Sequence, residues 1–263
     1  MELINWADFC SGIGAGFPYA GCRVPGLNLV VTCDTDSYCR DILLSRYKRA
    51  ACIRDIRAWR AVRQEFGTID LFTASPPCTP FSIQGKRKGA SDERDCIPAL
   101  LEAIALSTPR FWCIENVPGL LSCPLRPGAG VGTYFTFILS EMELFGYDVE
   151  WLCVESSHFA APWRRKRLLM VGFARGIIPQ QPRPWIEQVR EYLSCERDSW
   201  EGRGIQPGLA GVEERTPSGV LVPIGVKSGD SVTRRRRGAL GNALDPRVAN
   251  IALRRILYLN SLL

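Results

Sequence analysis

Over the first 175 residues, short apolar runs alternate with longer stretches whose apolar positions repeat at helical spacing. The runs predict β-strands, and the stretches predict helices between them. This alternation is typical of an α/β fold with a mostly parallel sheet and helices on both faces. The predicted strands are Leu3–Phe9, Leu29–Cys33, Ile69–Thr73, Phe111–Ile114, Val149–Val154 and Leu168–Phe173, and the predicted helices are Ser37–Tyr47, Cys96–Leu106 and Tyr134–Leu144.

The pattern changes after Phe173. Residues 175–231 carry six prolines, many glycines and one predicted helix, Trp185–Leu193, which indicates an irregular insert rather than a second core. Helical periodicity returns from Pro246 to Leu259. We therefore divide the chain into a main α/β unit at 1–174, a small insert at 175–237 and a C-terminal segment at 238–263 that completes the main unit.

Composition limits the class of protein. The chain has 263 residues, of which 46% are hydrophobic, and no apolar run reaches the roughly 20 residues of a membrane helix. Because the N-terminus lacks a signal-peptide pattern, we expect a cytoplasmic protein. The 11 cysteines are scattered and form no C-x-x-C pair, and there is a single histidine, so we expect neither a disulfide framework nor a metal site.

Positive charge is concentrated in clusters. The formal net charge is +6, and basic runs occupy 86–88, 164–167 and 234–237. Such clusters favour a polyanionic partner, although any single cluster is as readily explained as solvated surface charge.

A glycine-rich turn, Ser11-Gly12-Ile13-Gly14, follows the first predicted strand. Glycines let the chain turn tightly and bring backbone N–H groups close to a ligand. Asp34 ends the next strand about 20 residues later, where a carboxylate can hold a ribose hydroxyl pair. The register is not a strict G-x-G-x-x-G, so a plain turn between strand and helix remains an alternative.

Two prolines and a cysteine follow the third predicted strand. Pro76 and Pro77 stiffen the backbone immediately before Cys78, which places its thiol at the end of a strand. A free thiol has a pKa of about 8.5, so only a few per cent is thiolate near neutrality unless the site assists. Taken alone, a buried structural cysteine is the commoner explanation.

A carboxylate and two arginines accompany this thiol. Glu115, in Glu115-Asn116-Val117, follows the next strand and should share an edge of the sheet with Cys78. Desolvation there would keep its carboxyl partly protonated, so that it could donate to a ring nitrogen. Arg165 and Arg167 are two residues apart, share one face, and could hold a phosphate or a carbonyl oxygen.

This ordered series resembles the cytosine carbon-5 methyltransferase family. The resemblance runs over residues 4–175 and resumes at 238–257. It implies a Rossmann-like S-adenosylmethionine-dependent methyltransferase fold. The matching motifs are the glycine turn, Asp34 with Asp36, Asp55-Ile56, Pro77-Cys78, Glu115-Asn116-Val117, Arg165 with Arg167, and Gly241-Asn242-Ala243.

The resemblance also implies roles. Cys78 would be the nucleophile that adds to carbon 6 of cytosine, Glu115 would contact the ring nitrogen and amino group, and Arg165 or Arg167 would hold the carbonyl or a nearby phosphate. The target base would be flipped out of the duplex, and no metal is implied. The residues implied to bind S-adenosylmethionine are Ser11, Gly12, Ile13, Gly14, Asp34, Thr35, Asp55, Ile56, Pro77 and Asn242.

One departure from the family concerns the cofactor site. Family members usually carry an aromatic residue where Cys10 stands. Phe9 lies one residue away, and a shift of one residue along a strand points the side chain to the opposite face. We therefore do not expect Phe9 to stack on the adenine ring.

We predict a monomeric DNA (cytosine-5-)-methyltransferase of the restriction-modification kind, acting on double-stranded DNA in the cytoplasm of a prokaryote or phage-infected cell. The insert would read a site of about two to four base pairs. A transfer-RNA cytosine-5 methyltransferase, a catalytically inactive DNA-binding relative and, more distantly, a Rossmann oxidoreductase are the alternatives. Phosphate contacts are expected from Arg183, Arg190, Arg197, Arg203 and 234–237.

Overall fold

A seven-stranded sheet forms the centre of the protein in the computed structural model, which describes residues 3–77, 95–159, 165–197, 239 and 243–263. The strands are β1 (Ile4–Phe9), β2 (Leu27–Cys33), β3 (Ala51–Ile53), β4 (Leu71–Ala74), β5 (Phe111–Asn116), β6 (Tyr147–Glu155) and β7 (Lys166–Ala174). Their order is β3-β2-β1-β4-β5-β7-β6. Strand β7 runs antiparallel to β5 and β6, and the other pairs are parallel. The predicted mostly parallel α/β sheet is thus confirmed.

Helices cover both faces of this sheet. None of the helices in the described ranges is long and apolar enough to cross a membrane. The predicted helices are all present. Among the described residues, two short helices at 17–21 and 59–62 were not predicted. The helices are α1 (Phe17–Gly21), α2 (Ser37–Arg46), α3 (Trp59–Val62), α4 (Ile97–Ser107), α5 (Thr133–Leu144), α6 (Trp185–Arg197) and α7 (Pro246–Asn260).

Alternation along the strands creates two hydrophobic cores. In β5, Trp112 and Ile114 pack with α4 and α5 on one face, whereas Phe111 and Cys113 pack with α6 and α7 on the other. The indole of Trp112 leaves no room for a side chain on β7, because a Cβ at Gly172 would lie 2.0 Å from it. Burial on both faces explains why the central strands are continuous apolar runs.

Arg255 ties the C-terminal helix to the rest of the domain. Its side chain is fully buried, and its Nε and Nη2 donate to the Glu150 carboxylate of β6 at 2.7 and 2.5 Å. Its Nη1 donates to the Arg183 carbonyl at 2.7 Å and to Gln188 Oε1 at 2.9 Å. Helices α6 and α7 are therefore joined to the sheet by one guanidinium. Of the predicted insert, residues 198–237 lie outside the described residues.

We expect Arg255→Met to destabilise the protein by about 3 kcal/mol, because removing one partner of a buried ion pair leaves the other charge uncompensated. Arg254→Met is the matched control, since Arg254 is exposed and lies over the ring of Tyr192 in a cation–π pair. That control should cost less than about 1 kcal/mol. Urea unfolding followed by circular dichroism gives both values, and equal losses in the two variants would contradict the role of Arg255.

Candidate active site

A cavity of about 510 Å³ lies at one edge of the sheet. It is surrounded by the carboxyl ends of β1, β2, β4 and β5 and by the amino end of β7. Its position agrees with the rule that ligands bind at this edge of an open α/β sheet, and its volume suits a cofactor. The predicted site residues that line it are Ser11, Gly12, Ile13, Asp34, Pro77, Glu115, Arg165 and Arg167.

Other predicted residues lie elsewhere. Cys78 and Asn242 are outside the described residues. Within the described part of the chain, Thr35, Asp55 and Ile56 are not among the lining residues, and neither is Gly14. The side chain of Ile56 is buried in the core, and Asp55 accepts a hydrogen bond from Arg57 N at 3.0 Å at the start of a 3₁₀ turn.

The glycine turn holds Asp34 in place. The N–H of Gly12 donates to Asp34 Oδ2 at 2.7 Å, and the N–H of Asp36 donates to Oδ1 at 2.9 Å. Gly12 adopts a φ of 55°, in the left-handed region that glycine enters without strain. Burial raises the pKa of Asp34, and these two amide hydrogen bonds oppose the increase. The turn thus fixes a carboxyl group at the cavity wall.

Gly14 allows the glycine turn to pack closely against Tyr47. A Cβ there would lie 2.4 Å from the ring of Tyr47, and the Tyr47 hydroxyl donates to the Gly14 carbonyl at 2.5 Å. The second glycine therefore brings the turn against α2 rather than facing the cavity.

Glu115 and Arg167 form an ion pair at the opposite wall. Arg167 Nε lies 2.8 Å from Glu115 Oε1, and the side chains are 14% and 9% exposed, so solvent screens the pair little. Burial raises the pKa of Glu115, while the guanidinium groups of Arg167 and Arg165 oppose the increase. Arg167 is the second residue of β7, which begins at Lys166. The sequence pattern had predicted that this strand begins at Leu168, after the arginine.

Asn116 connects this wall to the segment that leads to Cys78. Its Nδ2 donates to the Pro76 carbonyl at 3.4 Å, and its Oδ1 accepts from Val117 N at 2.8 Å. The end of β5 therefore holds the two-proline segment after β4. Asn116 was not among the predicted site residues, although it stands in the same tripeptide as Glu115.

Asp8 is a cavity residue that sequence reasoning missed. It is 1% exposed, and its Oδ1 accepts from Thr73 Oγ1 at 2.5 Å, while Thr73 Oγ1 accepts from Trp6 Nε1 at 2.7 Å. Asp8 Oδ2 has no hydrogen-bond partner among the described residues. Burial raises the pKa of Asp8 from 3.8 to about 7. The sequence did offer a signal for Asp8, because it is an acidic residue near the end of an apolar strand and three residues before the glycine turn.

Other residues of the cavity lining were not predicted either. Cys10 and Tyr38 are among them. Phe9 does not line the cavity, because it is fully buried against Trp59 and Phe72, with ring centroids 5.2 and 5.0 Å away. This agrees with the expectation that Phe9 is not available to stack on a ligand. In the described ranges no group of three or more His, Cys, Asp or Glu could hold a metal ion.

Comparison with known proteins finds sequences similar to this chain. The family model described as C-5 cytosine-specific DNA methylase matches residues 2–195. The chain is 33% identical over 210 residues to the Type II methyltransferase M.NaeI of Lentzea aerocolonigenes, covering 77% of this chain and 49% of that protein. It is 28% identical over 225 residues to the Type II methyltransferase M.NgoMIV of Neisseria gonorrhoeae, covering 80% and 69%. The chain spans about half the length or less of the first curated relatives it matches.

The fold has close counterparts among solved structures. The Entamoeba histolytica methyltransferase EhMeth superposes with a TM-score of 0.62 at 15% identity, covering 99% of both chains. At this identity the likeness bears on the fold alone, and it confirms the predicted Rossmann-like methyltransferase fold.

Asp8 predicts a pH dependence of stability. Because its pKa in the folded protein, about 7, exceeds the ordinary value of 3.8, the folded state holds this proton more tightly than the unfolded state. The contribution to stability is full below pH 3.8 and is lost as the pH rises through about 7. At about 1.4 kcal/mol per tenfold change in proton affinity, the loss is roughly 4 kcal/mol.

Asp8→Asn tests this, since an amide mimics the protonated carboxyl and still accepts from Thr73. We expect the free energy of unfolding of the variant, relative to the natural chain, to increase steadily with pH across that interval, as measured by urea titration without ligand. Asp41→Asn, at an exposed position on α2, is the control. A difference that stays constant with pH would contradict the raised pKa.

Proposed function

The chain belongs to the C-5 cytosine-specific DNA methylase family, and from this premise we propose that it transfers a methyl group from S-adenosylmethionine to carbon 5 of cytosine in double-stranded DNA. The observation that carries the proposal is that Asp34 and the Glu115–Arg167 pair line one cavity, with Pro77, the residue before Cys78, also in its wall. We assign Asp34 to a cofactor side of this cavity and the Glu115–Arg167 pair to a base side.

The residues of the cofactor side fit a nucleoside cofactor. Ser11, Gly12 and Ile13 line the cavity beside Asp34, and the direction in which a Cβ of Gly12 would point is open. The Asp34 carboxylate keeps lone pairs beyond those used by its two amide donors, so it can accept from ribose hydroxyls. Tyr38 is a further residue of the same lining. S-adenosylmethionine, when bound, supplies the methyl group.

The base side suits the activation of a pyrimidine. Addition of the Cys78 thiolate to carbon 6 makes carbon 5 nucleophilic, so that carbon 5 takes the methyl group; loss of the carbon-5 proton then expels the thiolate. Glu115, whose pKa is raised by burial, can donate a proton to the ring nitrogen as negative charge develops there. Arg165 and Arg167, which line the same cavity, would stabilise the carbonyl oxygen or a neighbouring phosphate.

Sequence recognition is assigned to the insert at 175–237. Positive charge there would supply phosphate contacts, and the family flips the target base because carbon 5 is not reachable inside the stack. Arg183 contributes less than its charge suggests, since it pairs with Glu187 at 3.1 Å and with Glu191 at 3.0 Å on α6. Arg203 and 234–237 lie outside the described residues.

Methyl transfer should depend on both Cys78 and Glu115. With radiolabelled S-adenosylmethionine, we expect label in duplex DNA, and about 10²- to 10⁴-fold less for Glu115→Gln, which cannot exchange the proton. Cys78→Ser should give no covalent adduct with a duplex containing 5-fluorocytosine. Cys22→Ser, at an exposed thiol, is the control. Label in transfer RNA but not in DNA would replace the proposal with its RNA alternative.

Cofactor binding should depend on Asp34. Loss of a hydrogen-bonded charge costs about 1.5 to 3 kcal/mol, so Asp34→Ala should raise the Kd for S-adenosylmethionine by about 10- to 100-fold. Isothermal titration calorimetry measures the Kd, and a thermal melt shows whether the variant is folded. Asp41→Asn, which is exposed on α2, should leave the Kd unchanged. An unchanged Kd for folded Asp34→Ala would remove Asp34 from the cofactor site.

A further inference from the structure

Two cysteines that are distant in the sequence meet at the cavity. The Sγ atoms of Cys10 and Cys96 lie 3.2 Å apart across a separation of 86 residues. Cys10 lies between β1 and the glycine turn, and Cys96 directly precedes α4. Cys10 lines the cavity and is half-buried, whereas Cys96 is 7% exposed beneath it.

We propose that Cys10 and Cys96 form a reversible disulfide, a redox-modification site in the wall of the cavity, with a peroxide as oxidant. The sulfurs need to approach by only about 1 Å to reach the bond length of about 2.05 Å. Cys10 has a φ of 53°, so a non-glycine residue is held in the left-handed region where the chain turns. The turn thus brings a thiol to a partner on a separate element.

Hydrogen peroxide is the only oxidant that this disulfide formation needs. The sulfur of Cys10, a residue of the cavity lining, attacks one peroxide oxygen; the O–O bond breaks, and a sulfenic acid and one water result. The Cys96 sulfur then attacks the Cys10 sulfur, the S–O bond breaks, and the hydroxide leaves with the remaining thiol proton as a second water. The two sulfurs lose two electrons in total, and peroxide gains them.

The surroundings predict a slow reaction. The contact with Cys96 and then burial raise the pKa of the Cys10 thiol, and the thiolate is the reactive form. Oxidation should therefore need sustained peroxide rather than a brief exposure. A small oxidant reaches Cys10 through the cavity, so a molecule filling the cavity should block it. This last step rests on the proposed function, because it takes S-adenosylmethionine as the occupant.

The test is peptide mapping of the full chain by mass spectrometry without reductant, after incubation with millimolar hydrogen peroxide. We expect a cross-linked peptide pair joining Cys10 to Cys96 that disappears on treatment with dithiothreitol. Cys10→Ser and Cys96→Ala should each abolish it. Cys39→Ala, at another cysteine of the same cavity, should retain it. Absence of this pair in folded natural protein, its persistence in folded Cys10→Ser or Cys96→Ala, or its loss from folded Cys39→Ala would overturn the proposal.

A second arm separates the inference from the proposed function. S-adenosylmethionine at ten times its Kd leaves about a tenth of the protein free, so cross-linking should slow about tenfold. If calorimetry detects no binding while the cross-link forms, the proposed function fails and the disulfide stands. If the cofactor binds and cross-linking keeps its rate, access through the cavity is refuted. Thermal melts of each variant establish that it is folded.

Discussion

Burial of carboxyl groups at one edge of the sheet is the constraint on which the site depends. Asp8, Asp34 and Glu115 all lie where solvent is largely excluded, and burial raises the pKa of each. A charge in such a place has to be compensated or neutralised. The compensation differs among them: Asp34 receives two backbone amides, Glu115 receives a guanidinium, and Asp8 keeps its proton up to a pKa of about 7. Three chemically similar side chains are thereby accommodated at this edge in three different ways.

The sheet register supplies part of this compensation directly. Asp8 of β1 and Thr73 of β4 are paired residues of adjacent parallel strands. The Thr73 hydroxyl accepts from Trp6 Nε1, so its single proton is directed to Asp8. A chain of hydrogen bonds therefore runs from a fully buried indole to the floor of the cavity. Because its members sit on rigid strands, the carboxyl group is held without a loop to position it.

Much of this could be predicted from sequence, because strands and helices leave periodic signals and the turn and site motifs are local. The alternating apolar runs indicated six of the seven strands; β3 and α1 are too short to give a period. Contacts between distant segments leave no such signal. Arg255 falls inside the helix predicted for 246–259, and the pattern could not identify Glu150 as its partner. Likewise, no sequence pattern predicted that the Sγ atoms of Cys10 and Cys96 would lie in contact.

Strand direction explains how the arginines reach the site. In a wholly parallel sheet the residues that begin a strand lie at the edge opposite to the carboxyl ends, so Arg165 and Arg167 would be far from Glu115. Strand β7 instead runs antiparallel to β5, which brings its amino end to the edge where β5 ends. Hydrophobic periodicity is the same for either direction, so it could not predict this reversal. The reversed strand thus places the guanidinium of Arg167 beside the buried Glu115 carboxylate. The antiparallel strand next to the cavity is therefore what makes this ion pair possible in an otherwise parallel sheet.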